Sequence, residues 1–193
     1  MNDERASYFR YLSRRSLLGW IYRVYLLYPR LNSRLEGKVL DFGCGIGDFL
    51  AFRDNTIGVD INEFNVDYCV SKGLPAYLIE NNKIPFSDGY FSGVVLDNVI
   101  EHLSKDEVGP TMNEILRVLR PGGQIVAGVP GIKGYRADTD HKTFYTQDAL
   151  IQLFTNQSCK TLDMMHMPIK CSWLSKILNS YCVYGIFETP LQP

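Results

Sequence analysis

The chain lacks most of what would assign a protein to a narrow class at sight. Its five cysteines (Cys44, Cys69, Cys159, Cys171 and Cys182) are odd in number and contain no Cys-x-x-Cys pair. That argues against a cysteine-held zinc site and against a disulfide framework. Scattered thiols of this kind suit a reducing compartment, and the expectation is a cytoplasmic protein. No apolar run reaches the roughly 18 residues needed to cross a bilayer, and the mixed-charge start does not read as a cleavable signal. An excess of one charge is also missing. The net charge is −1, so no whole-chain field draws in nucleic acid. Internal repeats and low-complexity stretches are absent as well.

What is present is ordinary in amount and informative in order. With 193 residues, 46% of them hydrophobic, the chain can bury a full core in one domain. Short apolar runs predict strands near 38–42, 56–60, 75–79, 92–97, 123–129, 160–166 and 181–188. Helices alternate with them near 46–53, 62–72, 104–119, 146–155 and 171–179. Asn62 and Thr146 stand where helix N-caps are expected, and Pro121-Gly122-Gly123 stops the helix before it. Strand–helix alternation with short connections makes a parallel sheet covered on both faces. Ligands of such sheets sit outside the C-terminal strand ends, where the strand order reverses.

The most informative stretch lies at one such strand end. Val39-Leu40-Asp41-Phe42 runs into Gly43-Cys44-Gly45-Ile46-Gly47, and Asp48-Phe49-Leu50 opens a helix. A glycine loop between strand and helix lets a ligand approach bare backbone. The spacing is Gly-x-Gly-x-Gly rather than the dinucleotide pattern Gly-x-Gly-x-x-Gly. Ile57-Gly58-Val59-Asp60-Ile61 is a second short strand ending in an acid that can accept ribose hydroxyls, a feature common to both ligand types.

Together with Glu80–Phe91, Val94–Leu103 and Leu116–Gly123, these segments resemble the ordered motifs of class I S-adenosylmethionine-dependent methyltransferases, in their small-molecule and glycan-modifying branch. The resemblance covers residues 38–129. It implies a Rossmann-like three-layer α/β sandwich with a seven-stranded, mostly parallel sheet whose last strand is antiparallel. It also implies S-adenosylmethionine as cofactor, held by Asp41, Gly43, Cys44, Gly45 and Gly47 of the loop, by Asp60 and Ile61, by Glu80 and Asn81, and by Asn98. Glu80 stands where the family more often has aspartate.

Residues 1–38 carry eight basic side chains against three acids, leaving −6 on the remainder. They also hold Tyr8, Phe9, Tyr11, Trp20, Tyr22, Tyr25 and Tyr28. A helical pattern over 7–28, with Tyr8, Leu12, Leu18, Ile21, Tyr22, Tyr25 and Leu26 on its apolar face and arginines between, makes residues 1–37 a lid segment before a methyltransferase domain at 38–193. Peripheral membrane contact and a homodimer contact are the other uses open to it.

His102 and His141 are the candidate catalytic residues. His102 follows the fourth strand, near where a sulfonium methyl would sit. His141 lies in Asp138-Thr139-Asp140-His141-Lys142-Thr143-Phe144-Tyr145-Thr146, and His-x-x-Phe-Tyr-Thr in similar methyltransferases lies beside the acceptor. Glu101 is expected to orient backbone or an arginine, and His166 to be structural. Asp138, Asp140 and His141 make a poor cage on one loop, so no metal is expected. The implied activity is O-methylation of a small molecule or of a glycan or lipid-linked sugar precursor, with no nucleic acid as partner. A non-catalytic S-adenosylmethionine-binding subunit is the alternative, and a nicotinamide-dependent oxidoreductase is further off because no Tyr-x-x-x-Lys pair follows the fourth or fifth strand.

Overall fold

The computed structural model describes residues 5–7, 9–10, 16–171 and 173–191. Seven strands form one sheet: β1 (Val39–Phe42), β2 (Thr56–Asp60), β3 (Ala76–Leu78), β4 (Phe91–Asp97), β5 (Leu119–Pro130), β6 (Lys160–Met167) and β7 (Cys182–Glu188). Their order is β3-β2-β1-β4-β5-β7-β6. Strands β1 to β5 pair in parallel, and β7 runs antiparallel to β5 and β6. The expected sandwich with its antiparallel last strand is therefore the observed one.

Alternation along the strands supplies two apolar layers, because successive side chains leave a strand on opposite faces. Leu40, Val94, Leu96, Ile125 and Ala127 point to one layer, where α5 (Lys105–Val118) adds Met112, Ile115 and Val118. Helix α7 (Gln147–Thr155) adds Leu150 and Phe154, the latter stacked on Phe187 at 4.1 Å between ring centroids. Val39, Val95, Val126 and Tyr184 point to the other layer, against Leu27, Tyr28, Leu31 and Phe49.

Leu27, Tyr28 and Leu31 of that layer come from a helical run, and Leu35 follows it. The run comprises α1 (Leu17–Tyr22), a π-turn (Arg23–Leu27) and α2 (Tyr28–Asn32). Only the second half of this run is buried. Leu17 and Leu18 remain exposed, as does Tyr25, although the helical pattern placed Leu18 and Tyr25 on its apolar face. Tyr8 and Leu12 of that pattern lie outside the described residues.

Capping follows the chemistry expected of the side chains. Asn62 accepts from the Phe64 N–H and starts α4 (Glu63–Ser71), and Thr146 accepts from the Ala149 N–H at the start of α7. Ser104 and Glu107 form a reciprocal capping box on α5. Arg117 holds the 84–88 loop to α5: its guanidinium donates to the carbonyls of Ile84 and Phe86 and pairs with Glu114 and Asp88.

Two elements differ from the sequence reading. The helix expected at 171–179 is a single 3-10 turn, Leu174–Lys176. The segment is instead tied to the stretch after β5: Lys133 donates to the Ile177 carbonyl, the Gly131 N–H donates to the Tyr181 carbonyl, and the Asn179 carbonyl packs so close to Gly134 that a methyl group there would meet it at 2.6 Å. Gly134 belongs to α6 (Ile132–Ala137), a short helix between the strand expected at 123–129 and the helix expected at 146–155, where the sequence reading has none.

Candidate functional site

The strand order reverses between β1 and β4, so the loops leaving them part to opposite sides and open a crevice. Gly43, Gly45 and Gly47 adopt φ of 72°, 54° and 80°, which only glycine tolerates without strain. A Cβ on Gly43 would lie 2.7 Å from Val99. The loop therefore turns tightly into α3 (Asp48–Phe52).

Asp60 is the bracket that holds this loop. Its Oδ2 accepts from the Gly45 N–H at 2.9 Å and from Asn65 Nδ2 at 3.1 Å, and its Oδ1 accepts from the Asn62 N–H at 2.8 Å. A carboxylate has about four acceptor positions, and three are used. The expectation that Asp60 accepts both ribose hydroxyls narrows accordingly: most of its capacity goes to backbone. Burial pushes its pKa up against these donors.

A cavity of about 730 Å³ runs past the loop. Asp41, Gly43, Cys44, Gly45, Asp60 and Ile61 line one part of it, and Asn98 and His102 another. Gly47 is not in its wall; it serves as the left-handed N-cap of α3. Glu80 and Asn81 also lie outside the wall. The edge strand β3 ends before them, and the chain folds back there through a Glu80–Lys83 bridge, which leaves Glu80 exposed.

Six carboxylates reach the cavity (Asp41, Asp48, Asp60, Asp97, Asp138 and Asp140) against the arginines Arg5 and Arg23. Arg23 already pairs with Asp48 at 3.5 Å, which ties the π-turn to α3. Asp41 is held well above the usual carboxylate range, first by burial and then by Asp97, Cys69 and Asp60. A cation in the cavity would relieve both effects. S-adenosylmethionine carries a sulfonium and an ammonium group, so this wall fits it.

Beneath the motif residues Asp97 and Asn98 the cavity adds Tyr184 and Cys182, which no sequence motif marks. Tyr184 of β7 donates its hydroxyl to Asp97 Oδ1 at 2.6 Å, and Asn98 Nδ2 donates to the same oxygen at 2.8 Å. Cys182 points its thiol at Asn98 Oδ1, 3.5 Å away. Asn98 itself sits in the left-handed region at φ 57°. Arg5 and Phe9 reach the β2 end: the Arg5 carbonyl accepts from Asn62 Nδ2, and Phe9 packs on Tyr68.

At the other end, the two candidate histidines meet, with ring centroids 4.6 Å apart. His141 stacks on Tyr135, and its Nδ1 lies 2.8 Å from the Tyr135 carbonyl oxygen. Burial depresses the pKa of His102, with His141 adding to the effect. Glu101 does not orient an arginine. Its backbone carbonyl accepts from the Lys142 and Thr143 N–H groups, and its side chain is fully buried beside His141. Burial pushes that carboxyl up to about 8. His166 is satisfied at both nitrogens, by the Tyr181 hydroxyl and Gln147 Oε1, as a structural histidine would be. The cysteines form no disulfide.

The sheet order, the left-handed glycine loop and the acid-lined crevice define a Rossmann-like methyltransferase fold. Comparison with known proteins agrees. Residues 40–127 match the family model described as "Methyltransferase domain". Residues 40–127 thus carry the methyltransferase-domain signature, and the cofactor of such a domain is S-adenosylmethionine.

A mouse protein named "Probable tRNA methyltransferase 9B" is 29% identical over 132 residues, covering 64% of this chain and 28% of its own length. A probable S-adenosylmethionine-dependent methyltransferase of Mycolicibacterium smegmatis is 31% identical over 138 residues, covering 67% of this chain and 53% of its own. Among solved structures, a SAM-dependent methyltransferase from Archaeoglobus fulgidus superposes with a TM-score of 0.67 at 19% identity, covering 88% of this chain and 98% of that one. The chain spans under a third of the length of the mouse and human relatives. No helix among the described residues is long and apolar enough to cross a membrane.

Proposed function

We propose that this domain methylates an oxygen of a small molecule or of a glycan or lipid-linked sugar precursor. Asp41, Gly43, Cys44, Gly45, Asp60, Ile61 and Asn98 hold the donor, and Gly47 sets the loop. His102 and His141 face the acceptor, and the segment before β1, through the helical run Leu17–Asn32, covers the crevice as a lid. The observation that carries this reading is the cavity wall, in which strand ends, the first helical run and the His102–His141 pair enclose one volume.

The donor supplies a methyl carbon on a sulfonium, already a good leaving group. What the chain adds is alignment, exclusion of water and a place for the acceptor's proton. Alignment alone can contribute several kcal/mol, and a positioned base a further factor of roughly 10²–10⁴. A hydroxyl acceptor needs that base more than an amine does, which is why the histidine pair favours oxygen.

A tRNA acceptor is the second reading, since relatives named as tRNA methyltransferases match. Against it stands the wall itself, where six carboxylates oppose two arginines and would repel phosphate. One experiment separates the two. The purified protein is titrated calorimetrically with S-adenosylmethionine, its demethylated product and NADH, then incubated with labelled donor and either phenols and sugar nucleotides or bulk tRNA. Donor and product binding without NADH, followed by label on a small molecule, supports the proposal. Label on tRNA alone replaces it with the second reading, and failure to bind either sulfur ligand removes both.

A further inference from the structure

Glu101, His102 and His141 form a cluster that the cofactor does not account for. Each offers one ligand atom, and the three atoms lie within 4.8 Å of one another. Glu101 and His102 belong to the 3-10 turn Ile100–His102 after β4, whereas His141 comes from the loop beyond α6. Two backbone hydrogen bonds clamp these segments together: the Lys142 and Thr143 N–H groups donate to the Glu101 carbonyl at 2.8 and 3.1 Å.

The protonation pattern of His141 follows from its neighbour. A carbonyl oxygen can only accept, so Nδ1, 2.8 Å from the Tyr135 carbonyl, carries the hydrogen. In the neutral ring Nε2 then presents a lone pair. That nitrogen faces Glu101 Oε1 at 3.8 Å, too far for a hydrogen bond. Glu101 is fully buried, and neither carboxylate oxygen has a hydrogen-bond partner. Such orphaned buried acceptors are rare and call for an explanation. The Glu101 carboxyl and the His141 Nε2 thus face each other across a gap that no hydrogen bond bridges.

We propose that Glu101, His102 and His141 bind a divalent first-row transition metal ion of the zinc class. Two imidazoles and one carboxylate are the donor set such ions prefer over magnesium or calcium, which take oxygen cages. The Nδ1–H bond to a backbone carbonyl is the usual support of a metal-bound imidazole. Ligand atoms about 2.0–2.2 Å from an ion in a tetrahedral site lie roughly 3.3–3.6 Å from each other. The 3.8 Å gap between Glu101 and His141 closes with a shift of a few tenths of an ångström, and a separation at the 4.8 Å bound of the cluster closes with a shift of somewhat over one ångström. Asp138 and Asp140 are not needed, and the weak single-loop cage considered from the sequence is not the one proposed.

The position of the ion is informative as well. Both histidines line the cavity, while Glu101 lies behind them. A coordination position not taken by protein therefore opens toward the cavity, where it takes a water or the acceptor's oxygen. A bound ion lowers the pKa of such an oxygen and removes the need for a strong base. This service to the acceptor rests on the oxygen-directed reading above; the binding of the ion does not.

The test uses the full chain, free of any affinity tag and stripped by a chelator, titrated with cobalt(II) and followed by its visible d–d absorption. Zinc(II) competition and a magnesium(II) control run beside it. One cobalt per chain is expected, displaced by zinc and not by magnesium. Glu101→Gln, His102→Ala and His141→Ala each weaken cobalt binding at least about tenfold. Glu101→Gln keeps shape and removes the anionic ligand, so its cooperative melting transition shows that the loss is not unfolding. Absence of a signal in large excess of cobalt overturns the proposal. So does a spectrum dominated by thiolate charge transfer, or one that none of the three substitutions moves. S-adenosylmethionine titration of the same samples keeps the two readings apart. Cobalt binding without donor binding sinks the proposed function and spares the metal site, and donor binding without cobalt binding does the reverse.

Discussion

Gly128→Ala joins the sheet to the site and can be worked through in numbers. Gly128 lies directly opposite Tyr184 in the β5–β7 ladder. A methyl group there would overlap the ring edge at Cε1 and lie 2.6 and 2.8 Å from Cδ1 and Cζ of Tyr184. That ring is fully buried and held by its 2.6 Å bond to Asp97, so it has no free direction in which to yield. Overpacking of this kind costs about 1–3 kcal/mol. Pushing the ring aside also breaks a hydrogen bond to a carboxylate, worth about 1.5–3 kcal/mol. The expected loss is about 4 kcal/mol, which for a chain of this size lowers Tm by roughly 8–16 °C. Denaturant unfolding and calorimetry with S-adenosylmethionine check both halves, since Asp97 and Asn98 line the cavity. Tyr184→Phe alone should cost about 2 kcal/mol. Because the same bond is lost only once, the double variant should fall short of the sum by about that amount. A Gly128→Ala loss under about 0.5 kcal/mol, or strict additivity, would refute the reasoning.

Asp60→Ala removes three hydrogen bonds that fix the glycine loop, so it should lower stability by about 2–4 kcal/mol as well as weaken donor binding; loss of affinity with an unchanged melting curve would mean that the loop holds its shape unaided. Leu31→Ala empties a fully buried position in the layer shared with Val95 and Tyr184 and should cost about 3 kcal/mol. A neutral result in urea unfolding would detach α2 from the core. Asn98→Gly should keep the left-handed turn and lose only the side-chain bonds, whereas Asn98→Ala adds roughly 1 kcal/mol of backbone strain; equal melting curves for the two would contradict the strain. Arg117→Ala should free the 84–88 loop at about 2 kcal/mol, seen as faster amide exchange at Ile84 and Phe86; unchanged exchange would count against it.

Much of this fold is legible along the chain because it is local. Val39–Phe42 and Thr56–Asp60 are short, mostly apolar with an acid at or next to the C-terminal end, and bounded by turn residues, so they read as buried parallel strands. Asn62 and Thr146 cap helices because their oxygens reach the N–H groups two or three residues on. The helix expected at 171–179 failed for the opposite reason. Its partners lie far away in sequence, at Gly131, Lys133 and Gly134, and local periodicity does not report them.

The donor loop was likewise set by local composition. Three glycines in left-handed conformations between a strand and a helix can form few other structures, and no tertiary contact is needed to anticipate that turn. The partners of that loop were decided elsewhere. Only the assembled sheet places Tyr184 and Cys182 beneath Asp97 and Asn98, because β7 returns antiparallel from the far end of the chain. Only the folded 3-10 turn and the loop beyond α6 bring Glu101 and His102 to His141. Periodicity and spacing report forces between near neighbours, which is why strands, caps and the glycine turn are written in the order of residues. A buried carboxylate facing an imidazole about forty positions later depends on which segments pack together, and that is a property of the whole core.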